Sequence, residues 1–123
     1  MKRLITYSRG RLSAFGYAFR GAYDLLRNHA PSKIHMAAFV GIMCISWLLH
    51  FPLWKWVAVL LCSGMVLAAE ALNTAVEYVV DLVSPEYNIL AGKAKDVAAG
   101  AVLFTAVFSG IVAILLIGDA LLA

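Results

Sequence analysis

Long apolar runs separated by short polar connections dominate the pattern of residues along this chain. The hydrocarbon core of a bilayer is about 30 Å thick, and a helix needs about 20 apolar residues to cross it. Three runs approach or exceed that length, and we predict transmembrane helices over residues 34–51, 53–83 and 96–118. Pro52 interrupts the chain between the first two. Residues 84–95 form the second connection, which begins at Ser84-Pro85 because a residue before proline disfavours the helical conformation.

A basic, amphipathic segment precedes the first apolar run. Between residues 4 and 28, apolar side chains recur every three or four positions, which predicts an amphipathic helix; they are Leu12, Phe15, Phe19, Tyr23 and Leu26. Seven of the ten Lys and Arg residues lie before residue 34. Their mixture with Leu, Phe and Tyr indicates an anionic membrane surface as the partner of this arm, rather than nucleic acid.

The distribution of basic residues also predicts the orientation in the membrane. The N-terminal arm is strongly basic and the 84–95 connection carries Lys93 and Lys95, whereas the connection around Pro52 carries only Lys55. Cytoplasmic segments of membrane proteins are enriched in Lys and Arg. We therefore expect both the N-terminal arm and the 84–95 connection to face the cytoplasm.

The composition agrees with a membrane protein. The chain is 63% hydrophobic and 14% charged, with a mean hydropathy of +0.88, whereas a soluble domain is about half apolar and a quarter charged. Its 123 residues predict a single all-α membrane domain over residues 1–123. Cys44 and Cys62 both lie in apolar stretches, so we interpret them as small buried hydrophobic residues rather than as a disulfide or a metal pair.

A stripe of polar residues interrupts the second apolar run. In EALNTAVEYVVD, the side chains of Glu70, Asn73, Glu77 and Asp81 are three or four residues apart, so they fall within roughly 80° of one helix face. Carboxylates at membrane depth are costly and usually face a bundle interior or an aqueous cavity. The stripe either forms a functional site or has a structural role, as a hydrogen-bonded contact between subunits or a solvated helix end.

The chemistry of this stripe suits a metal–phosphate substrate and a lipid alcohol. Carboxylate and amide oxygens are the ligands that Mg²⁺ prefers, commonly together with substrate phosphates. Glu70, the deepest acid, is placed to accept a proton from a lipid hydroxyl. Lys95 and Asp96 head the third apolar run, so a folded-back connection would bring Lys95 to phosphate oxygens and Asp96 to the metal. Taken alone, these two are also typical of a charged helix end.

These residues resemble the bacterial diacylglycerol kinase family. Residues 70–102, EALNTAVEYVVDLVSPEYNILAGKAKDVAAGAV, match the family pattern E-x-x-N-(S/T)-A-x-E-x-x-V-D…E-Y…A-K-D, and the resemblance extends over residues 11–117. It implies a homotrimer of an N-terminal amphipathic surface helix and three transmembrane helices in the bacterial inner membrane. It also implies transfer of the γ-phosphoryl group of ATP, with Mg²⁺, to a lipid hydroxyl.

The same resemblance implies roles for individual residues. Glu70 would be the catalytic base and Glu77 a metal ligand beside the phosphates. Tyr17 resembles the aromatic residue near adenine, and Glu86 resembles a nucleotide contact. The residues that would line the same site are Asn73, Asp81, Lys95 and Asp96. Pro85 and Gly100 make the chain more similar to the undecaprenol kinase branch, with diacylglycerol as the alternative acceptor.

Two positions depart from the family pattern. The loop motif commonly ends in Tyr-His, whereas this chain has Tyr87-Asn88. The family also carries a second metal-binding glutamate where this chain has His29, and histidine is a poor ligand for Mg²⁺. Our hypothesis is that Asp24, about one helical turn earlier, or a water replaces that oxygen ligand; the alternative is a surface His29 and weaker metal binding. An ion-conducting subunit and a non-catalytic assembly protein are the competing functions.

Overall fold

The structure is a computed structural model that describes the backbone of residues 2–122 and the side chains of residues 13–122. Within these residues the chain forms four α-helices: α1 (Lys2–Asn28), α2 (Ala30–Leu48), α3 (Leu53–Val83) and α4 (Ile89–Leu122). Among the described helices, α2, α3 and α4 are each long and apolar enough to cross a membrane. The prediction of an all-α chain with three helices that could span a membrane is confirmed.

A single extended residue separates α1 from α2. His29 has φ −109° and ψ 114°, and Pro31 follows in the first turn of α2, where its missing N–H costs no helical hydrogen bond. The helix therefore begins at Ala30, before the segment predicted from residue 34. Hydropathy identifies the apolar part of a helix, whereas the extended residue and the proline determine where the helix itself starts.

The connection between α2 and α3 is a tight, fully hydrogen-bonded turn. His50 adopts a left-handed conformation with φ 51°, which reverses the chain direction after Leu49. The His50 N–H donates to the Trp47 carbonyl (3.1 Å) and the Phe51 N–H donates to the Ser46 carbonyl (3.0 Å). This pair of bonds closes the C-terminus of α2 in a Schellman motif. We call this end of the bundle the turn end.

The connection between α3 and α4 is shorter than predicted. Residues 89–95, which we predicted as part of the connection, are helical, so only residues 84–88 are non-helical. The Asn88 side-chain oxygen accepts hydrogen bonds from the N–H groups of Leu90 (2.8 Å) and Ala91 (3.4 Å). These N–H groups would otherwise lack partners in the first turn, so Asn88 starts the helix. We call this end of the bundle the loop end.

Packing within the chain is concentrated in an antiparallel pair formed by α3 and α4, with α2 against α3 and α1 against α2 and α3. A small core of Phe51, Val59 and Leu116 lies near the turn end. Most other large apolar side chains face outward, as Phe104 and Phe108 do. A surface of this kind suits contact with hydrocarbon chains or with other subunits.

Most of the face of α1 that we predicted as apolar is not covered by the rest of the described chain, whereas Leu26 of this face is half-buried. Phe15, Phe19 and Tyr23 are exposed, and the Leu12 side chain lies outside the described residues. Leu25 is instead the buried apolar residue that holds α1 against its neighbours.

Candidate functional site

The predicted polar stripe lies on α3, which is continuous from Leu53 to Val83. Along it, exposure increases from Glu70, which is 3% exposed, through the half-buried Asn73 and Glu77 to the exposed Asp81. With a helical rise of 1.5 Å per residue, the stripe extends over about 16 Å. It runs from the interior of the bundle to the loop end, so a soluble group and a buried group could meet along it.

Glu70 is enclosed by two polar side chains of α2. The Nε2 atom of His35 lies 3.1 Å from Oε1 of Glu70, and the Ser32 hydroxyl donates to Oε2 at 3.5 Å. A buried carboxylate loses its hydration, and these two contacts replace part of it. Neither His35 nor Ser32 was predicted as a site residue. The feature of the sequence that could have indicated them is their spacing of three residues, which places Ser32 and His35 on one face of α2.

Asn73 and Glu77 form a second polar group one to two turns further along α3. The Asn73 amide Nδ2 donates to Glu77 Oε1 at 3.0 Å. The Asn73 Oδ1 atom is buried and has no hydrogen-bond partner among the described residues. A buried oxygen without a partner is uncommon in proteins, so this atom is available to a bound cation or water.

Asp24 and His29 meet at the junction of α1 and α2, where both contact Tyr78 of α3. The Tyr78 hydroxyl donates to Asp24 Oδ2 at 2.7 Å and lies 2.8 Å from His29 Nε2. Because the hydroxyl proton is given to Asp24, His29 Nε2 carries the proton in the second contact. Asn28 Nδ2 donates to the other oxygen of Asp24 at 2.6 Å. Tyr78, which directly follows Glu77, was not predicted as a site residue.

These hydrogen bonds alter the acidity of Asp24. The bond from Tyr78, and then the bond from Asn28, stabilise the charged carboxylate and lower the pKa of Asp24 below its ordinary value. Asp24 is therefore an anion at neutral pH, in contact with Tyr78, the residue after Glu77. His29 lies beside Asp24, since both contact the Tyr78 hydroxyl, but it offers a ring nitrogen rather than an oxygen.

Three predicted site residues line one cavity at the loop end. Asp81, Glu86 and Lys95 surround a volume of about 230 Å³, together with Ser84 and Asn88. Lys95 Nζ lies 2.5 Å from Asp81 Oδ1. The cavity thus carries one cation and two acidic side chains, in reach of solvent.

Two predicted site residues, Tyr17 and Asp96, belong to none of the groups described above. Tyr17 on α1 is 67% exposed, and the Arg20 guanidinium lies 5.9 Å from its ring centroid. Asp96 on α4 is exposed and makes no hydrogen bond or ion pair within the described part of the chain. Across residues 13–122, no group of three or more His, Cys, Asp and Glu side chains is arranged to hold a metal ion. A single chain therefore presents the predicted residues in separate groups.

An apolar cleft lies between α1, α2 and α3 at the depth of Glu70, although Glu70 itself does not line it. Its volume is about 480 Å³, and its lining includes Gly21, Leu25, Met36 and Leu67. Ala71, the residue after Glu70, also lines it. The cleft has the size and apolar character to hold part of a hydrocarbon chain.

Comparisons with known proteins identify relatives that are all named as kinases. The family described as prokaryotic diacylglycerol kinase matches residues 16–117. An undecaprenol kinase of Bacillus subtilis is 35% identical over 84% of each chain. A diacylglycerol kinase of Synechocystis is 39% identical over 82% of this chain and 58% of its own length. The diacylglycerol kinase of Escherichia coli K12 is 34% identical over 75% of each chain.

Proposed function

Because the chain belongs to the prokaryotic diacylglycerol kinase family and is a lipid kinase, we propose that it phosphorylates undecaprenol. The hydroxyl oxygen of the lipid attacks the γ-phosphorus of ATP, the bond from that phosphorus to the bridging oxygen breaks, and ADP leaves. The observation that carries this proposal is the position of Glu70, a buried carboxylate at the inner end of a polar stripe that reaches the loop end.

Glu70 is the proposed general base. It takes the proton of the lipid hydroxyl as the new phosphorus–oxygen bond forms. The neighbouring cleft supports this role, because a lipid whose chain occupies the cleft brings its hydroxyl to the depth of Glu70. The low exposure of the carboxylate also limits access of water, which would compete with the lipid as the phosphoryl acceptor.

Glu77 and Asn73 are the proposed oxygen ligands of Mg²⁺. The partnerless Oδ1 atom of Asn73, beside the Glu77 carboxylate, fits a hard cation that prefers oxygen. When bound, Mg²⁺ would neutralise charge on the ATP phosphates. For the second metal ligand we favour Asp24 over His29, since Asp24 offers oxygen atoms and its partner Tyr78 directly follows Glu77.

The loop-end cavity is the proposed position of the nucleotide phosphates. Lys95 would exchange its contact with Asp81 for phosphate oxygens, and Glu86 would contact the nucleotide from the loop. Tyr17 would meet the adenine, and Asp96 would line the site. These two lie outside the cavity in a single chain, which supports a site completed by a neighbouring subunit.

A homotrimer is the proposed assembly. The faces around Gly64 and Gly100 are open, because a Cβ atom added at either residue would meet nothing within 4 Å. Small residues let helix backbones approach closely in membranes. We also propose that the N-terminal arm and residues 84–88 face the cytoplasm of a bacterial inner membrane, where ATP is available.

The acceptor lipid is the finer part of the proposal. Undecaprenol is favoured by Pro85 and Gly100. It is also favoured by the similarity to the Bacillus subtilis undecaprenol kinase, which is covered over 84% of its length. The diacylglycerol kinases of Synechocystis and Escherichia coli, at similar identity, favour diacylglycerol. The cleft accommodates a hydrocarbon chain of either type.

Purified protein in detergent micelles, supplied with labelled ATP, Mg²⁺ and each alcohol separately, tests the proposal. We expect phosphorylated undecaprenol to form with a higher kcat/KM than phosphatidic acid. Turnover should be lost in Glu70→Gln and Glu77→Gln, with unchanged elution of the folded protein. A preference for diacylglycerol would overturn the acceptor, and full turnover in both variants would overturn the assigned roles.

A further inference from the structure

Glu70 is the buried acid on which the proposed chemistry depends, and α2 supplies its two polar contacts. We propose that His35 is a positioning residue, which holds the Glu70 carboxylate in the orientation that accepts the lipid proton. This inference rests on the proposed role of Glu70 as the base. It adds a residue from a different helix that the polar stripe of α3 does not contain.

The two contacts of Glu70 are unequal. His35 Nε2 lies 3.1 Å from Oε1, which is a normal hydrogen-bond distance, whereas the Ser32 hydroxyl lies 3.5 Å from Oε2, at the outer limit. His35 therefore fixes Oε1. Oε2 is held weakly, so it is the oxygen that can turn to the lipid hydroxyl and accept its proton.

The His35 ring is itself placed by packing. It lines a cavity of about 180 Å³ between α2, α3 and α4, together with Phe39 and Val66. Phe39 is one turn after His35 on α2, and Val66 is one turn before Glu70 on α3. The ring thus occupies the space where α2 and α3 meet, and its side chain is only 23% exposed.

A donor at this position has a distinct chemical effect. A carboxylate that is buried without hydrogen bonds loses most of its hydration and is free to rotate. A hydrogen bond from His35 Nε2–H compensates the charge and restricts the rotation, without consuming the second oxygen. The donor should therefore affect the phosphoryl-transfer step more than the binding of MgATP, which involves residues nearer the loop end.

Variants of His35 that keep or remove the donor test this inference. His35→Leu has a similar size without a donor, and His35→Gln keeps an N–H group at similar reach. We expect His35→Leu to lower kcat by roughly 10- to 100-fold, the effect of losing a hydrogen bond to a charged group. KM for MgATP should change by less than about twofold, and His35→Gln should restore most of kcat. Ser46→Ala is the control, because Ser46 is a buried serine of α2 that donates to the Ile42 carbonyl and not to Glu70.

A combination with Glu70→Gln separates this inference from the proposed function. If His35 acts through Glu70, His35→Leu should not lower the residual rate of Glu70→Gln any further. Full kcat in His35→Leu beside an inactive Glu70→Gln would overturn the positioning role alone. Full kcat in Glu70→Gln would overturn the assignment of the base. Equal losses in His35→Leu and His35→Gln, with a reduced folded fraction in both, would show a packing role and also overturn the inference.

Discussion

Removing either member of the ion pair between Lys55 and Asp119 tests how α3 and α4 are joined at the turn end. Lys55 Nζ lies 2.7 Å from Asp119 Oδ2 and donates to the Leu116 carbonyl at 3.1 Å. It also lies 5.0 Å from the Phe51 ring centroid. The lysine side chain is 4% exposed and the aspartate side chain is 66% exposed, so the two partners are not equivalent.

This asymmetry predicts that Asp119→Ala destabilises the protein more than Lys55→Met. In Lys55→Met the buried cation disappears and Asp119 returns to solvent. The hydrogen bond to the Leu116 carbonyl is lost, and packing of the methionine side chain restores part of the lost stability. We therefore expect the free energy of unfolding to fall by about 1–2 kcal/mol. In Asp119→Ala the buried Lys55 ammonium keeps its hydrogen bond to the Leu116 carbonyl but loses the negative charge of Asp119. Such a loss costs about 3–5 kcal/mol in a fully buried pair, and the exposure of Asp119 reduces it to about 2–3 kcal/mol.

Equilibrium unfolding in mixed micelles with an increasing fraction of SDS measures both free energies. The double variant Lys55→Met/Asp119→Ala should be about as stable as Lys55→Met alone, because the exposed aspartate matters only while the buried lysine is present. A larger loss of stability in Lys55→Met than in Asp119→Ala would show that the buried lysine does not depend on its counter-charge. So would a double variant whose loss equals the sum of the two single losses.

Three further predictions concern the loop end. Asp24→Asn should raise the Mg²⁺ concentration for half-maximal activity by about tenfold or more; an unchanged activation curve would remove Asp24 from the metal site. Because the pKa of Asp24 is lowered, its contact with Tyr78 should stabilise the protein above about pH 4 and be lost as the pH falls through the lowered pKa. Unfolding midpoints between about pH 2 and 6 should therefore fall more steeply in the wild type than in Tyr78→Phe, and parallel curves would contradict this. Asn88→Ala should cost about 1 kcal/mol in SDS unfolding because it removes the cap of α4, whereas an unchanged midpoint would show that the cap is not needed.

The helices of this protein were largely predictable from sequence, and their ends were not. Hydropathy and helical periodicity depend on residues a few positions apart, so they located α2, α3 and α4 and the polar stripe of α3. The start of α4 was predicted at residue 96 instead of Ile89. A membrane segment is recognised by its apolar side chains, whereas a helix starts where its first N–H groups find an acceptor. Asn88 provided that signal in the sequence, and we had interpreted it only as a departure from Tyr-His.

Which residues share a helix face follows from the order of amino acids alone, because the geometry of one helix fixes the angle between side chains three or four residues apart. That order therefore identified Glu70, Asn73, Glu77 and Asp81 as a stripe. The contacts that each side chain makes across a helix interface became known from the three-dimensional packing. His35 against Glu70, Tyr78 between Asp24 and His29, and Lys55 against Asp119 join residues far apart in the chain. Such contacts depend on the rotation and offset of two packed helices, which no local pattern of residues specifies.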